Sequence, residues 1–150
     1  MKITDVLVAE HRIFEGVFAQ IEAALPRLRT LAEVRLLASI VEGLLTAHSG
    51  TETELAFLAL DHVRQDEGRL DRLHQDHQEI DSRLRQVQSA RTGGDARRLL
   101  AAALQASRQH MLLEERAIFP LLERALQPAT LAELAATWSL RAAASRDRPH

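Results

Sequence analysis

The chain contains no cysteine, and that absence removes disulfides, thiolate catalysis, iron–sulfur clusters and thiolate zinc sites together. Any metal must be held by nitrogen and oxygen. Tyrosine is also missing, which excludes a tyrosinate ligand and a tyrosyl radical. Aromatics are sparse and glycine and proline scarce, while Ala, Leu, Arg, Glu and Gln dominate. That bias toward strong helix formers predicts an all-α protein, since strands would want more Val, Ile, Thr and Tyr. There is no excess of positive charge: the formal net charge is -2, with arginines interleaved among acids, so no nucleic acid partner is expected. Long apolar runs are lacking too. The opening MKITDVLVAEH carries Asp5 and Glu10 and reads as neither a signal peptide nor a membrane span, so no membrane partner and a cytoplasmic location are expected. A length of 150 residues fits one domain that can bury a core without disulfides.

Apolar periodicity then lays out the helices. Ile3, Leu7, Phe14, Phe18, Ile21 and Leu25 recur at spacings of three and four, predicting an amphipathic helix from Thr4 to Leu25 with His11 in its stripe. Pro26 ends it. Thr30 and Glu33 form a capping box for a second helix whose inward line is Val34, Leu37, Val41, Leu44, His48, Leu55 and Ala59, with Glu52 one turn past the histidine. The polar segment 61–69, which contains Gly68, is read as a turn. A third helix carries Leu70, Leu73, His77, Ile80, Leu84 and Val87 on one face. Gly93-Gly94 breaks the pattern. Asp95 is the expected cap of a fourth helix running through Leu99, Ala103, His110, Glu114, Ile118 and Leu121, in which Pro120 is expected to force a kink, at a cost of roughly 3 kcal/mol if unaccommodated. Thr130 and Glu133 make a second capping box, opening a short helix through Leu131, Leu134, Trp138 and Leu140 that Trp138 anchors on the bundle. The expected organisation is a four-helix bundle over 1–127, a packed C-terminal helix over 128–142 and a disordered tail over 143–150.

The chain repeats itself. A single offset of 66 residues superposes Leu7 on Leu73, Glu10 on Asp76, His11 on His77, Phe14 on Ile80, Phe18 on Leu84 and Ile21 on Val87. An offset of 62 superposes His48 on His110, Glu52 on Glu114 and Phe57 on Phe119. Each half is therefore one helical hairpin with a lone histidine and a His-x-x-x-Glu pair, and residues four apart share a helix face. Packing the hairpins against each other points four histidines and two carboxylates at one level of a bundle core. Burying that many polar groups without partners costs about 1–3 kcal/mol each, and a metal satisfies all of them at once. Six groups exceed what one tetrahedral zinc takes, and mixed imidazole and carboxylate donors suit a pair of iron or manganese ions.

With this order of ligand types, His, His-x-x-x-Glu, His, His-x-x-x-Glu, and with the run EERAIFP, the sequence resembles the hemerythrin-like (HHE cation-binding) family over roughly residues 5–126. The resemblance implies an up-down-up-down four-helix bundle holding an oxo- or hydroxo-bridged pair of iron ions, with manganese or zinc as substitutes. By position, its ligands would be His11, His48, Glu52, His77, His110 and Glu114. The oxygen-carrying members use five histidines, two of them four apart on the third helix; here the nearest candidate is His74, three before His77. Lying about 60° around the helix from His77, His74 is expected beside the site or in solvent. Glu15 and Asp81, four after the lone histidines, read as solvated acids. Glu115 is an alternative to Glu114, but its repeat partner is Thr53, so symmetry favours Glu114. His62 and His150 read as solvated. Phe14, Phe18, Phe57 and Phe119 are core residues, some of which wall a small dry pocket over the metals.

Function is expected in one of three forms. The first is reversible dioxygen binding or oxygen and iron sensing, because six residues and a bridge leave a coordination position open. The second is an enzyme that decomposes peroxide or handles nitric oxide at the same site. The third is an interaction module whose fold depends on metal and whose fifth helix meets an unidentified protein partner.

Overall fold

The computed structural model describes residues 1–63 and 67–146, with side chains for 1–60 and 70–142. Helix α1 spans Ile3–Ala24 and closes in a 3-10 turn, Leu25–Arg27, that contains Pro26. Helix α2 spans Leu31–Thr51 and runs on through a π-helical stretch, Glu52–Phe57, into Leu58–Val63. Helix α3 spans Glu67–Ser89. Helix α4 spans Gly93–Leu113 and continues through a second π stretch, Glu114–Ile118, into Phe119–Ala125; α5 is Pro128–Arg146. No strand occurs among the described residues, and no described helix is long and apolar enough to cross a membrane.

The first four helices pack as a bundle on which α5 lies. Thr4 donates to Glu123 at 2.6 Å and Arg108 reaches Glu15 and Glu22, so α1 and α4 run antiparallel. Arg35 donates to the Ala90 carbonyl at 2.9 Å and Gln88 to the Arg35 carbonyl at 3.0 Å, so the start of α2 lies beside the end of α3. Helix α5 sits against α1 and the π stretch of α2, with Leu131 and Ala135 buried and Trp138 half-buried against the core.

The expected stripes are inward, with small rotations. On α2, Ala38 and Leu45 are buried where Leu37 and Leu44 are half-buried, and on α4 Leu100 replaces Leu99. Neighbouring apolar residues compete for one seam, and the period of 3.6 leaves that choice to packing. Several boundaries also differ from expectation. Gly68 lies within α3, and of the expected turn only residues 64–66 fall outside the described residues. Helix α5 begins at Pro128, where a missing N–H costs nothing, so Thr130 is a first-turn residue and not a cap. Its Leu140 is 73% exposed. The helix continues to Arg146, past the expected boundary at 142; residues 147–150 lie outside the described residues.

Helix α4 is capped by Thr92, whose hydroxyl accepts the Asp95 backbone N–H at 3.1 Å, while Asp95 sits inside the first turn and accepts from the Thr92 hydroxyl at 2.8 Å. Thr92→Ala is therefore expected to lower stability by about 1 kcal/mol, and Asp95→Ala by less, because the Thr92 oxygen remains. Denaturant titration of the two variants decides which residue is the cap.

Pro120 stands in the turn directly after the π stretch Glu114–Ile118. A π turn already interrupts the ordinary ladder, so the proline removes a donor where the register has shifted. Proline is not the whole cause, because α2 makes its own π stretch at the repeat-related position without one.

The core comes in two pieces. One holds Phe14, Phe18, Val41, Leu84, Leu100 and Leu104; the other holds Leu7, Phe57, Leu73, Ile118, Phe119 and Leu122. On each of the four bundle helices the boundary between them falls within about a turn of a histidine: His11, His48, His77 or His110.

Candidate metal centre

That boundary is a polar layer of six side chains. Glu52 and Glu114 are completely buried, His11, His48 and His110 nearly so, and His77 mostly so. The four imidazoles present Nε2 inward. Nε2 of His48 lies 3.2 Å from Glu52 Oε1, and Nε2 of His110 lies 3.0 Å from Glu114 Oε1, each pair one turn apart on its own helix. The carboxylates also reach across. Glu114 Oε2 is 3.4 Å from His11 Nε2, and Glu52 Oε2 is 3.7 Å from His77 Nε2. Two groups of potential ligand atoms result, each within 4.8 Å of one another: His11, His48, Glu52 and Glu114, and His77, His110, Glu52 and Glu114. Both carboxylates belong to both groups. Both π stretches begin at these glutamates, and a π turn rotates the residues after it relative to those before. His48 and Glu52, like His110 and Glu114, thus face the site while Phe57 and Phe119 still face the core.

The donor set fits a cation. Of six buried side-chain polar atoms without a hydrogen-bond partner among the described residues, five are Glu52 Oε1 and Oε2, Glu114 Oε1 and Oε2, and His110 Nε2. Nearly all buried polar atoms in folded proteins are paired. Five orphans converging on one spot mark a place for a metal.

The outward nitrogens complete the pattern. Nδ1 of His48 meets Glu10 at 2.8 Å, Nδ1 of His11 meets Glu115 at 2.8 Å, and Nδ1 of His110 meets Asp76 at 3.4 Å. An Nδ1–H donated to a carboxylate fixes the tautomer that leaves the Nε2 lone pair facing inward, and such outer partners typically contribute about 10–100-fold to metal affinity. Glu10→Gln is accordingly expected to weaken cation binding by about 10-fold or more at unchanged helix content; a competition titration against a chelator measures it. These three acids were not foreseen. The signal for two of them lay in the repeat, which superposes Glu10 on Asp76, and Glu115 supports a histidine rather than replacing Glu114.

The remaining candidates fall outside the two groups. His74 is half-buried and meets Phe57 edge-on, with ring centroids 6.2 Å apart. Glu15 is held by Arg108, which also grips Glu22 and lies over the Phe18 ring. Asp81 is half-buried at the edge of a small cavity. The side chains of His62 and His150 lie outside the described residues. All four phenylalanines are buried, and three wall the centre: Phe119 stacks on His11 at 5.6 Å, Phe57 on His77 at 6.5 Å, and Phe14 meets His48 edge-on at 5.0 Å.

Electrostatics set what a metal must displace. Burial pushes the His11 pKa down, but Glu114 and Glu52 more than offset it and raise it to about 9. His48, likewise penalised by burial, is carried to about 10 by Glu52 and Glu10. Burial would raise Glu52, yet His48 and His11 hold it far below the usual carboxylate range. Burial and then the nearby His110 lower His77, whereas His110 is raised by Glu114 and Glu52 despite its own burial. Without metal, the stabilising contribution of His11 and His48 is complete below the unfolded value of about 6.5 and is lost as pH rises through 9 and 10. For His77 the folded value is depressed, so its contribution is intact above the unfolded value and lost as pH falls below it. Metal needs all four rings unprotonated. The metal-induced rise in melting temperature is therefore expected to grow between about pH 6 and pH 9, as thermal melts with and without metal would record.

No curated protein and no solved structure matches the chain. A protein family does: the hemerythrin HHE cation binding domain matches residues 2–122, which takes in α1 to α3 and nearly all of α4, with every residue of the polar layer, and stops short of α5. A helical bundle with imidazole and carboxylate donors able to hold a metal, matched over most of its length, belongs to the hemerythrin HHE cation-binding family.

Proposed function

We propose that the chain holds two iron ions, bridged by oxide or hydroxide, and uses them for reversible dioxygen binding or for sensing oxygen or iron, with manganese or zinc as substitute metals and the cytoplasm as the setting. The supporting observation is the sharing of Glu52 and Glu114 between both groups of donor atoms. One ion would be held by His11 and His48, the other by His77 and His110, each with one oxygen from each carboxylate. Four protein donors per ion leave positions open for a bridge and a diatomic ligand. When bound, a reduced iron pair supplies the two electrons that dioxygen takes up. The protein supplies the rest: outer carboxylates that hold the imidazoles in their ligating tautomer, and phenylalanine rings that exclude water.

The test is optical. Protein loaded with ferrous iron without oxygen is expected to develop a ligand-to-metal absorption band on exposure to oxygen and to lose it on removal of oxygen. Absence of any band with oxygen, and of any with azide afterwards, would refute the proposal. Rapid peroxide consumption by the wild type, lost in His110→Ala at matched iron content, would instead select the enzymatic alternative.

A further inference from the structure

Helix α2 carries an unpartnered apolar face on the side away from the bundle core. Leu36, Ile40, Gly43 and Ala47 recur there at spacings of four, three and four residues, and all four are exposed. Of the large apolar residues that stand exposed among the described residues, Leu36 at 62% and Ile40 at 47% are the only two one turn apart on one helix. Single exposed apolar residues are ordinary, whereas a contiguous patch marks a contact. The stripe itself has no charge. Arg35 turns to the Ala90 carbonyl on the α3 side, and Glu42, seven residues later, shares that flank. The fold of one chain does not explain Gly43: a Cβ added to it meets nothing within 4 Å, while glycine weakens a helix interior relative to alanine.

Large and small residues along this stripe complement each other end for end. When two copies of α2 are set antiparallel and cross midway between Val41 and Glu42, Leu36 falls opposite Ala47 and Ile40 opposite Gly43, and two-fold symmetry makes each contact twice. Gly43 and Ala47 also line a groove of about 660 Å³ between α1, α2 and α5, to which α5 contributes Trp138 and Ala142 and in which Glu10 and His48 are reached. The bulky pair of one copy therefore has a recess to enter on the other. Charge fixes the direction. Exposed Arg29 precedes the stripe and exposed Glu54 follows it. The antiparallel crossing brings Arg29 of one copy level with Glu54 of the other, beside the Arg141 that Glu54 already meets in its own chain, whereas a parallel pairing sets like against like.

We propose that this face binds a second copy of the chain, in a two-fold dimer in which Leu36 and Ile40 of each copy seat on Gly43 and Ala47 of the other and cover the groove beside Glu10. The inference does not depend on the two-metal reading. One helix face is smaller than the about 800 Å² per partner of a standard interface, so the dimer is expected to have a micromolar dissociation constant. Sedimentation velocity on the full chain as purified is expected to pass from monomer to dimer as concentration rises through that range. Leu36→Asp and Gly43→Leu, both at exposed positions, are each expected to weaken the dimer at least about tenfold at unchanged helix content. The register has its own test, because the chain has no cysteine. A mixture of Leu36→Cys and Ala47→Cys chains is expected to form a disulfide-linked pair under mild oxidation, and Leu36→Cys alone is not; this remains decisive if Gly43→Leu folds poorly. Monomer at every concentration up to about 1 mM, a dimer that ignores both substitutions, or cross-linking of Leu36→Cys to itself overturns the proposal.

Discussion

Glu114→Ala is expected to lose tight binding at both metal positions, although it removes a single side chain. Glu114 Oε1 lies 3.0 Å from His110 Nε2 and Oε2 lies 3.4 Å from His11 Nε2, so the truncation strips one donor from each position. The loss at both should exceed the roughly 100-fold upper range for removing an outer partner. His110→Ala strips a donor from one position only and is expected to leave the other able to bind. Competition titration with a chromophoric chelator resolves the two cases, with circular dichroism confirming the fold. One tight site surviving in Glu114→Ala would show that the carboxylate does not serve both positions.

Removing metal from the loaded protein is expected to lower its melting temperature by about 10–20 °C. Each site occupied at about 100 times its dissociation constant adds roughly 2.7 kcal/mol, and in a chain of this size each kcal/mol shifts the midpoint by about 2–4 °C. The physical source is the buried layer itself. Without a cation, Glu52 and Glu114 keep four oxygens with no hydrogen-bond partner, and each such atom costs about 1–3 kcal/mol. A melt that chelation leaves unmoved would mean that the layer is satisfied in some other way.

Much of this was legible in the sequence, because helices announce themselves by period and the polar layer by breaking it. His11, His48, His77 and His110 each interrupt an apolar stripe, and the offsets of 66 and 62 residues put them at one level before any coordinates exist. The two-piece core on either side of that level follows from the same pattern. What escaped the sequence was of a different kind. Glu10, Asp76 and Glu115 lie on helix flanks, where acids are ordinarily solvated, and only the fold brings them to imidazole nitrogens on other helices. The π stretches leave no compositional trace: one contains no proline and the other precedes Pro120. Asp95 and Thr92 both favour a cap, and the choice between them depended on where Gly93 and Gly94 enter the helix. At the start of α5 the Thr130 and Glu133 spacing matches a capping box, but Pro128 opens the helix two residues earlier.

The most direct test of the account is the metal content of the protein after loading with ferrous iron under anaerobic conditions and removal of excess. Six donors arranged as two groups that share Glu52 and Glu114 predict two irons per chain in the wild type, falling toward none in Glu52→Ala as in Glu114→Ala. A single iron per chain, or a stoichiometry that either substitution leaves unchanged, would contradict it.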